Sequence, residues 1–300
     1  MTPLRIGTRR SKLAIAQADQ IRHLLAVQGV ESELVPMATT GDEGGSPAQA
    51  PGGLKGLWTD AILDALQEGQ IDLAVHSAKD LPAEDEDGFR IAAVPHRADP
   101  RDVLVTRDRD LPTGATIGTS SLRRRAQLVR SFPGIEVVDL RGNVDTRVRK
   151  VTDGEVDAAV LAAAGLARLG LEPMFCAPLP IELMVPAPGQ GAIAVQTRDD
   201  DDTTIALVAP LEHRESRLAL DAERSLMWRM GGGCALPLGA YAEVSDEGIR
   251  LRAMVAMPDG SEAIDVDEGG GTPEQAAMAA ARALIEGGAE RILERVDAAG

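Results

Sequence analysis

The chain has 300 residues, of which 44% are hydrophobic, so it is long enough for two or three packed domains and is not a disordered protein. Its formal net charge of −16 argues against general affinity for nucleic acid or anionic membranes, because both need a positive field. Aromatic residues are scarce at 2%, so the cores must consist mainly of Ala, Leu, Val and Ile.

The first third of the chain alternates predicted strands and helices. A glycine- and proline-rich stretch over 40–56 interrupts this alternation and is typical of a lid or a mobile segment. Alternation of this kind predicts an α/β class with a largely parallel sheet and helices on both faces. The predicted strands are 4–8, 33–37, 72–76, 89–94 and 103–106, and the predicted helices are 14–29 and 57–67.

A second α/β half follows, and a small α+β unit ends the chain. The second half has predicted strands at 116–118, 135–138 and 158–161 and helices at 122–131 and 144–151. A proline-rich connector over 173–188 precedes a strand at 192–196 that can return to the first sheet, then a helix over 212–230. The last unit is predicted as strands 239–244, 249–257 and 263–266 and one helix over 273–296.

Three domains are therefore predicted. Domain 1 combines 1–95 with 190–209, and domain 2 covers 96–189. Domain 3 covers 210–300 and carries Cys234. The two cysteines form no disulfide framework, and the N-terminal residues lack the apolar run of a signal peptide, so a cytoplasmic protein is expected.

Positive charge is concentrated between 117 and 150, where eight basic residues face three acidic ones, a local balance of +5. Thr119, Ser121, Arg123 and Arg124 lie where a strand meets a helix, and such a helix start favours bound carboxylates or phosphates. Capping of the helix is an equally good explanation for Ser120. Neighbouring helical residues point about 100° apart, so consecutive arginines cannot all face one ligand.

The next strand end repeats this device, with Arg141 before a helix and Arg147 one turn inside it. Guanidinium groups bind carboxylates through paired hydrogen bonds, so the recurrence indicates a site for a molecule with several carboxylates. His76, Ser77, Lys79 and Asp80 follow another strand, where a carboxylate can stabilise positive charge on a substrate. The alternative for this segment is a solvated Lys-Asp pair in a turn.

Cys234 follows three glycines after a long helix, which leaves its thiol accessible as a nucleophile or attachment point. Cys176, between Phe175 and Ala177, is interpreted instead as a buried, inert cysteine.

Taken together, these segments resemble the porphobilinogen deaminase family, whose members are also called hydroxymethylbilane synthases. Any one of the motifs is weak, but their shared order from residue 7 to residue 234 is specific. The matching segments are GTRRSKLA (7–14), KGLW (55–58), AVHSAKDLP (74–82), GTSSLRR (118–124), LRGNVDTR (140–147), AAAGLARLG (162–170), PGQG (188–191) and GGC (232–234).

The resemblance implies two α/β domains like those of periplasmic binding proteins and a small α+β domain with the cysteine. It implies a dipyrromethane cofactor joined to Cys234 by a thioether, and a transferase of porphyrin, tetrapyrrole and heme biosynthesis that adds four porphobilinogens stepwise. Asp80 matches the catalytic carboxylate of the family. The residues that match cofactor- and substrate-binding positions are Arg9, Ser11, Trp58, Ser77, Lys79, Thr119, Ser121, Arg123, Arg124, Arg141, Arg147, Arg168 and Gln190.

Some residues depart from the family pattern. Trp58 stands where a phenylalanine is usual, and Pro51 stands where many members have a second lysine. Asp60 and Ala61 replace a Lys-Glu pair. None of these changes affects Asp80 or Cys234.

Two other functions compete with this interpretation. A non-catalytic sensor of small anions would use the two α/β halves but leaves the Gly-Gly-Gly-Cys segment without a role. A nucleic-acid-binding protein would use the arginine cluster but conflicts with the net charge and the scarcity of stacking rings. Porphobilinogen is thus the expected partner, with no nucleic acid or membrane, no metal, and a monomeric state.

Overall fold

The computed structural model describes residues 2–38, 60–232 and 236–298. The 40–56 stretch, Trp58 and Cys234 therefore lie outside the described residues. The chain divides into two compact units, of which unit 1 comprises Met1–Arg97 and Ala192–Arg217. Unit 2 comprises Ala98–Gly191 and Leu218–Gly300. The boundaries of the three predicted domains stay a prediction.

The described residues contain three β-sheets and nine α-helices. The strands are β1 (Leu4–Arg9), β2 (Ser32–Met37), β3 (Leu73–Ser77), β4 (Phe89–Ala93), β5 (Asp102–Thr106), β6 (Thr116–Gly118), β7 (Glu136–Val138), β8 (Ala158–Ala162), β9 (Phe175–Pro178), β10 (Ile193–Arg198), β11 (Leu238–Ser245), β12 (Gly248–Ala256) and β13 (Ala263–Gly270). The helices are α1 (Lys12–Val27), α2 (Asp60–Gln67), α3 (Leu122–Ser131), α4 (Val144–Thr152), α5 (Ala163–Arg168), α6 (Asp202–Val208), α7 (Arg214–Arg229), α8 (Pro273–Glu286) and α9 (Ala289–Asp297).

Unit 1 contains a five-stranded sheet in the order β2-β1-β3-β10-β4. Strands β1, β2 and β3 are parallel, and β10 runs antiparallel to both of its neighbours, which confirms that this strand returns to the first sheet. One face packs against α1 through Ile6, Ile21 and Leu25, and the other packs against α2 through Ile62 and other aliphatic side chains. Because β1 and β3 are parallel neighbours, the residues that follow them lie at the same sheet edge.

Unit 2 contains a second five-stranded sheet, in the order β7-β6-β8-β5-β9. Its parallel strands are β6, β7 and β8, with β5 antiparallel between β8 and β9, so the two sheets have the same topology. Gly118 ends β6 where a Cβ would lie 2.6 Å from Leu140, so only glycine allows this close approach. Strand β9 corrects the sequence interpretation, because its segment was expected to be only a connector.

The C-terminal part of unit 2 is a three-stranded antiparallel sheet in the order β11-β12-β13, covered by α8 and α9. The prediction of a single helix over 273–296 is wrong. The helix is interrupted at Gly287 and Gly288, and Gly288 has a φ of +95°. Helix α6 was also missed. The predicted α/β class, with two similar α/β parts and a small α+β part, is confirmed.

Within the described ranges, no helix combines the length and the apolar composition that crossing a membrane requires.

Candidate active site

In unit 1, four of the predicted site residues line one small cavity at the carboxyl edge of the sheet. Ser11 caps α1, where its hydroxyl accepts a hydrogen bond from the Ala14 amide at 3.3 Å. Asp80 ends a short 3-10 helix, Ala78–Asp80, that continues from β3, and its side chain is exposed to solvent. The cavity is lined by Arg9, Ser11, Leu13, Ala14, Gln17, Val75, His76, Ser77 and Asp80.

Gln17 is a site residue that sequence reasoning missed. Its side chain is buried and bonds with Ser77, with Nε2 at 2.7 Å and Oε1 at 3.1 Å from the serine Oγ. These bonds fix the Ser77 hydroxyl at the cavity wall. The available signal was a polar residue on the apolar face of α1, next to Ala14 and Ala18.

His76 is buried against the same cavity, and no described residue forms a hydrogen bond with its Nε2. Burial lowers the pKa of His76 to about 4, and the positive charge of Arg9 acts in the same direction, whereas a contact with Gln196 opposes it. The ring is therefore neutral at pH 7. A neutral imidazole next to Arg9 adds no second positive charge to the cavity.

The depressed pKa of His76 predicts a pH-dependent stability. As the pH falls below 6.5, the unfolded chain takes up this proton, whereas the folded protein resists it until about pH 4. The contribution of His76 to the free energy of unfolding is therefore fully present above pH 6.5, and it is lost as the pH falls from 6.5 to 4. Between pH 7.5 and 5 the expected loss in the free energy of unfolding is about 2 kcal/mol.

Urea unfolding at pH 7.5 and at pH 5 should show this loss in the wild type. The loss should be absent in His76→Gln. The matched control is His23→Gln, because His23 is exposed on α1 and should leave the pH dependence unchanged. An equal pH dependence in wild type and His76→Gln would contradict the assignment.

In unit 2, the start of α3 carries the predicted anion-binding residues. Ser121 caps the helix, accepting from the Arg124 amide at 3.4 Å, and its own amide donates to the Thr119 hydroxyl at 3.2 Å. Ser120 is not the cap, because its hydroxyl donates to the Leu140 carbonyl at 3.3 Å. Thr119 is buried and Ser121 is half-buried.

Arg123 and Arg124 converge on one buried carboxylate, Asp102, at the start of β5. Arg123 Nη1 lies 2.8 Å from Asp102 Oδ2, and Arg124 Nη2 lies 2.7 Å from Oδ1. Gln190 Nε2 also donates to Oδ1, at 2.8 Å. Both arginine side chains are less than a tenth exposed, and sequence reasoning missed Asp102 altogether.

The charges in this cluster do not balance. Burial would raise the pKa of Asp102, but the two guanidinium groups more than offset this and hold the pKa well below its usual range. Burial lowers the pKa of Arg123, and Asp102 opposes that shift. One carboxylate thus faces two arginines, which leaves one positive charge in excess.

Three further predicted arginines differ in exposure. Arg141 is 84% exposed and is paired with Asp139, whereas Arg147 is half-buried and donates to the Gly142 carbonyl at 2.7 Å. Burial lowers the pKa of Arg147, with a further contribution from Arg124.

Arg168 is half-buried and donates from Nη2 to the Gly191 carbonyl at 2.8 Å. Its buried Nε has no hydrogen-bond partner among the described residues. Burial lowers the pKa of Arg168 to about 10, and none of the described carboxylates opposes this shift.

The cysteines correct one expectation and leave another untested. Cys176 was expected to be buried, but it lies exposed on the edge strand β9, and partial desolvation raises the pKa of its thiol. Cys234 lies outside the described residues. The two described glycines before it, Gly231 and Gly232, have φ values of +99° and +70°, as a glycine-dependent turn requires.

Within the ranges that the structure describes, no group of three or more His, Cys, Asp or Glu side chains is arranged to hold a metal ion.

Comparison with known proteins gives a consistent result. A family model described as porphobilinogen deaminase, dipyromethane cofactor binding domain, matches residues 4–206. A second, the porphobilinogen deaminase C-terminal domain, matches residues 218–286. The porphobilinogen deaminase of Nocardia farcinica (strain IFM 10152) is 46% identical over 313 residues, covering 99% of this chain and 90% of that protein.

Among solved structures, a periplasmic substrate-binding protein of an ABC transporter from Coxiella burnetii is 17% identical with a TM-score of 0.42. That match covers 69% of this chain and 91% of the other. The methionine binding protein MetQ is 13% identical with a TM-score of 0.43, covering 69% of this chain and 89% of the other.

Proposed function

Because the chain belongs to the porphobilinogen deaminase family, we propose that it condenses four porphobilinogen molecules head to tail, with loss of ammonia, into the linear tetrapyrrole hydroxymethylbilane. It is a transferase of porphyrin, tetrapyrrole and heme biosynthesis. Its cofactor is a dipyrromethane, which we assign to a thioether on Cys234. When bound, this group supplies the pyrrole end to which each new unit is joined.

The residues of unit 2 fit a cofactor and a substrate that carry several carboxylates. Arg123 and Arg124 share the single carboxylate of Asp102, and Arg168 is half-buried without an opposing carboxylate in the part of the chain that the structure describes. This excess of buried positive charge is the observation that carries the proposal. Each pyrrole of the substrate has an acetate and a propionate, which would supply the missing negative charge.

Asp80 is proposed as the catalytic carboxylate in unit 1. Loss of ammonia from porphobilinogen leaves an azafulvenium-like electrophile whose positive charge is shared with the ring N–H. An already positioned carboxylate stabilises such charge without the reorganisation that water requires. Asp80 is exposed at the end of its 3-10 helix, where a pyrrole N–H can reach it, and it can also move protons between steps.

The other site residues are proposed to bind and orient the acidic side chains and the pyrrole rings. Arg9, Ser11 and Ser77 line the unit 1 cavity with Asp80, which supports their assignment. The remaining assignments are Trp58, Lys79, Thr119, Ser121, Arg123, Arg124, Arg141, Arg147, Arg168 and Gln190.

The activity is tested by incubating the purified protein with porphobilinogen. We expect one ammonia to be released for each porphobilinogen consumed. One linear tetrapyrrole should form for every four porphobilinogens consumed. Binding of porphobilinogen without its consumption would instead favour the sensor of small anions.

Arg168→Gln is expected to raise KM for porphobilinogen about 10- to 100-fold, because hydrogen bonds to a charged group contribute about 1.5 to 3 kcal/mol. Glutamine keeps a donor but loses the charge. Arg130→Gln is the matched control, since Arg130 lies in the same unit and pairs with Asp265 at 2.6 Å. Steady-state kinetics that show the same KM for both variants would contradict the role of Arg168.

We also propose that the protein acts as a cytoplasmic monomer and binds neither nucleic acid nor membranes. A reducing compartment suits the exposed Cys176 thiol, and the strongly negative charge opposes self-association and binding to polyanions. Light scattering coupled to size-exclusion chromatography tests the monomer, because a dimer would have twice the mass of 31.5 kDa.

A further inference from the structure

Asp102 is the most deeply buried carboxylate near the predicted arginines, and its side chain has no exposed surface. Arg124 reaches it with two donors, Nη2 at 2.7 Å and Nε at 3.2 Å, both directed at Oδ1. Arg123 lies at Oδ2 through Nη1. Each carboxylate oxygen therefore holds a different guanidinium group.

The surrounding backbone fixes these groups further. Arg123 Nη1 donates to the Val185 carbonyl at 2.5 Å. Gln190 Nε2 bridges Asp102 Oδ1 and the Pro100 carbonyl, at 2.8 Å and 2.7 Å. Asp102 Oδ1 thus holds Arg124 and Gln190 through hydrogen bonds, whereas Oδ2 accepts none among the described residues and holds Arg123 as an ion pair.

The geometry also decides which donors of Arg124 are left for a ligand. Because Nε and Nη2 both face Asp102, the edge of the guanidinium that carries Nη1 is turned away from the carboxylate. Arg147 lies near enough for the charge of Arg124 to lower its pKa. Arg124 therefore keeps one guanidinium edge that does not face Asp102.

We propose that Asp102 is a positioning residue, which acts through Arg123 and Arg124 by fixing their orientation toward one carboxylate of the bound ligand. The identity of that ligand as a pyrrole carboxylate rests on the proposed function. The competing explanation is a buried ion pair that contributes only to folding. A second competing explanation is that Asp102 sets the net charge of the cluster and not its geometry.

Asp102→Asn separates these explanations, because it keeps the shape of the side chain and removes its charge. If orientation matters, KM for porphobilinogen should rise about 10-fold or more with a smaller change in kcat, although the cluster has become more positive. If only net charge mattered, KM would fall. If only folding mattered, KM would stay constant at temperatures well below the unfolding transition. A lowered or unchanged KM overturns the proposal.

The matched control is Asp157→Asn in the same unit. Asp157 accepts hydrogen bonds from the Thr116 amide at 2.9 Å and the Thr116 hydroxyl at 3.0 Å. Neither bond involves Arg123 or Arg124. It should lower the melting temperature without changing KM. If Asp102→Asn yields no folded protein, Asp102→Glu is measured instead. It keeps the charge but moves it by one methylene, so a raised KM supports the proposal and an unchanged KM overturns it.

A readout that needs no turnover separates this proposal from the proposed function. In the wild type, the Arg124 Nε–Hε proton should exchange slowly with solvent in nitrogen-15 NMR spectra, with Arg124→Lys identifying the signal. Asp102→Asn should accelerate this exchange at least 10-fold, and unchanged protection would overturn the positioning role. A wild type that consumes no porphobilinogen would refute the proposed function alone, because the NMR comparison would still decide the role of Asp102.

Discussion

Asp80→Asn is expected to leave a folded protein whose kcat for porphobilinogen is about 100- to 1000-fold below that of the wild type. Asparagine keeps the size of the side chain, but it has no negative charge to stabilise the electrophile formed when ammonia leaves. It also cannot take up the proton that must move between steps. Because the side chain is exposed, the substitution removes no packing, and the melting temperature should change little.

Asp87→Asn is the matched control, since Asp87 is also exposed and follows Asp80 by seven residues without lining the unit 1 cavity. Steady-state kinetics under saturating porphobilinogen would measure kcat in both variants. Activity in Asp80→Asn within about 10-fold of the control would mean that another group is the catalytic carboxylate.

Cys234→Ser is expected to abolish turnover, because the proposed thioether cannot form without the thiolate nucleophile. The folded core should be unaffected, and circular dichroism should match that of the wild type. Cys176→Ser is the matched control, since Cys176 is exposed on an edge strand and carries no proposed role. Full activity in Cys234→Ser would show that the growing chain is attached elsewhere or not at all.

The sequence predicted the α/β order well because that order depends on local patterns. Buried strands such as β3 and β8 are short apolar runs, and α1 repeats apolar residues at helical spacing. The shared topology of the two sheets then follows from the same succession of elements in each half.

The missed elements have identifiable physical causes. Strand β9 has only four residues, Phe175–Pro178, and among the described strands it pairs with β5 alone. Its proline stands at a sheet edge, and the prolines around it favoured a connector instead. Helix α6 was obscured by an acidic run, although Asp201 in that run is its N-cap and accepts from the Thr204 amide at 3.0 Å. The break before α9 depends on Gly288, whose left-handed conformation the sequence alone did not require.

The sequence predicted the residues of the candidate site that are proposed to face the ligand, but not the residues behind them. Arginines next to strand ends indicate an anion site, but nothing local shows which acid in the chain opposes them. Asp102 precedes α3 by twenty residues, and it reaches Arg123 and Arg124 because β8 pairs with both β5 and β6, the strand before α3. It also explains how two adjacent arginines on one helix can share a partner, since each takes a different oxygen of the same carboxylate.

The intact mass of the purified wild-type protein tests the central claim most directly. We predict a mass above that of the 300-residue sequence by one dipyrromethane, absent from Cys234→Ser and retained in Cys176→Ser. A catalytically active wild type with the mass of the bare polypeptide would contradict a covalent cofactor on Cys234.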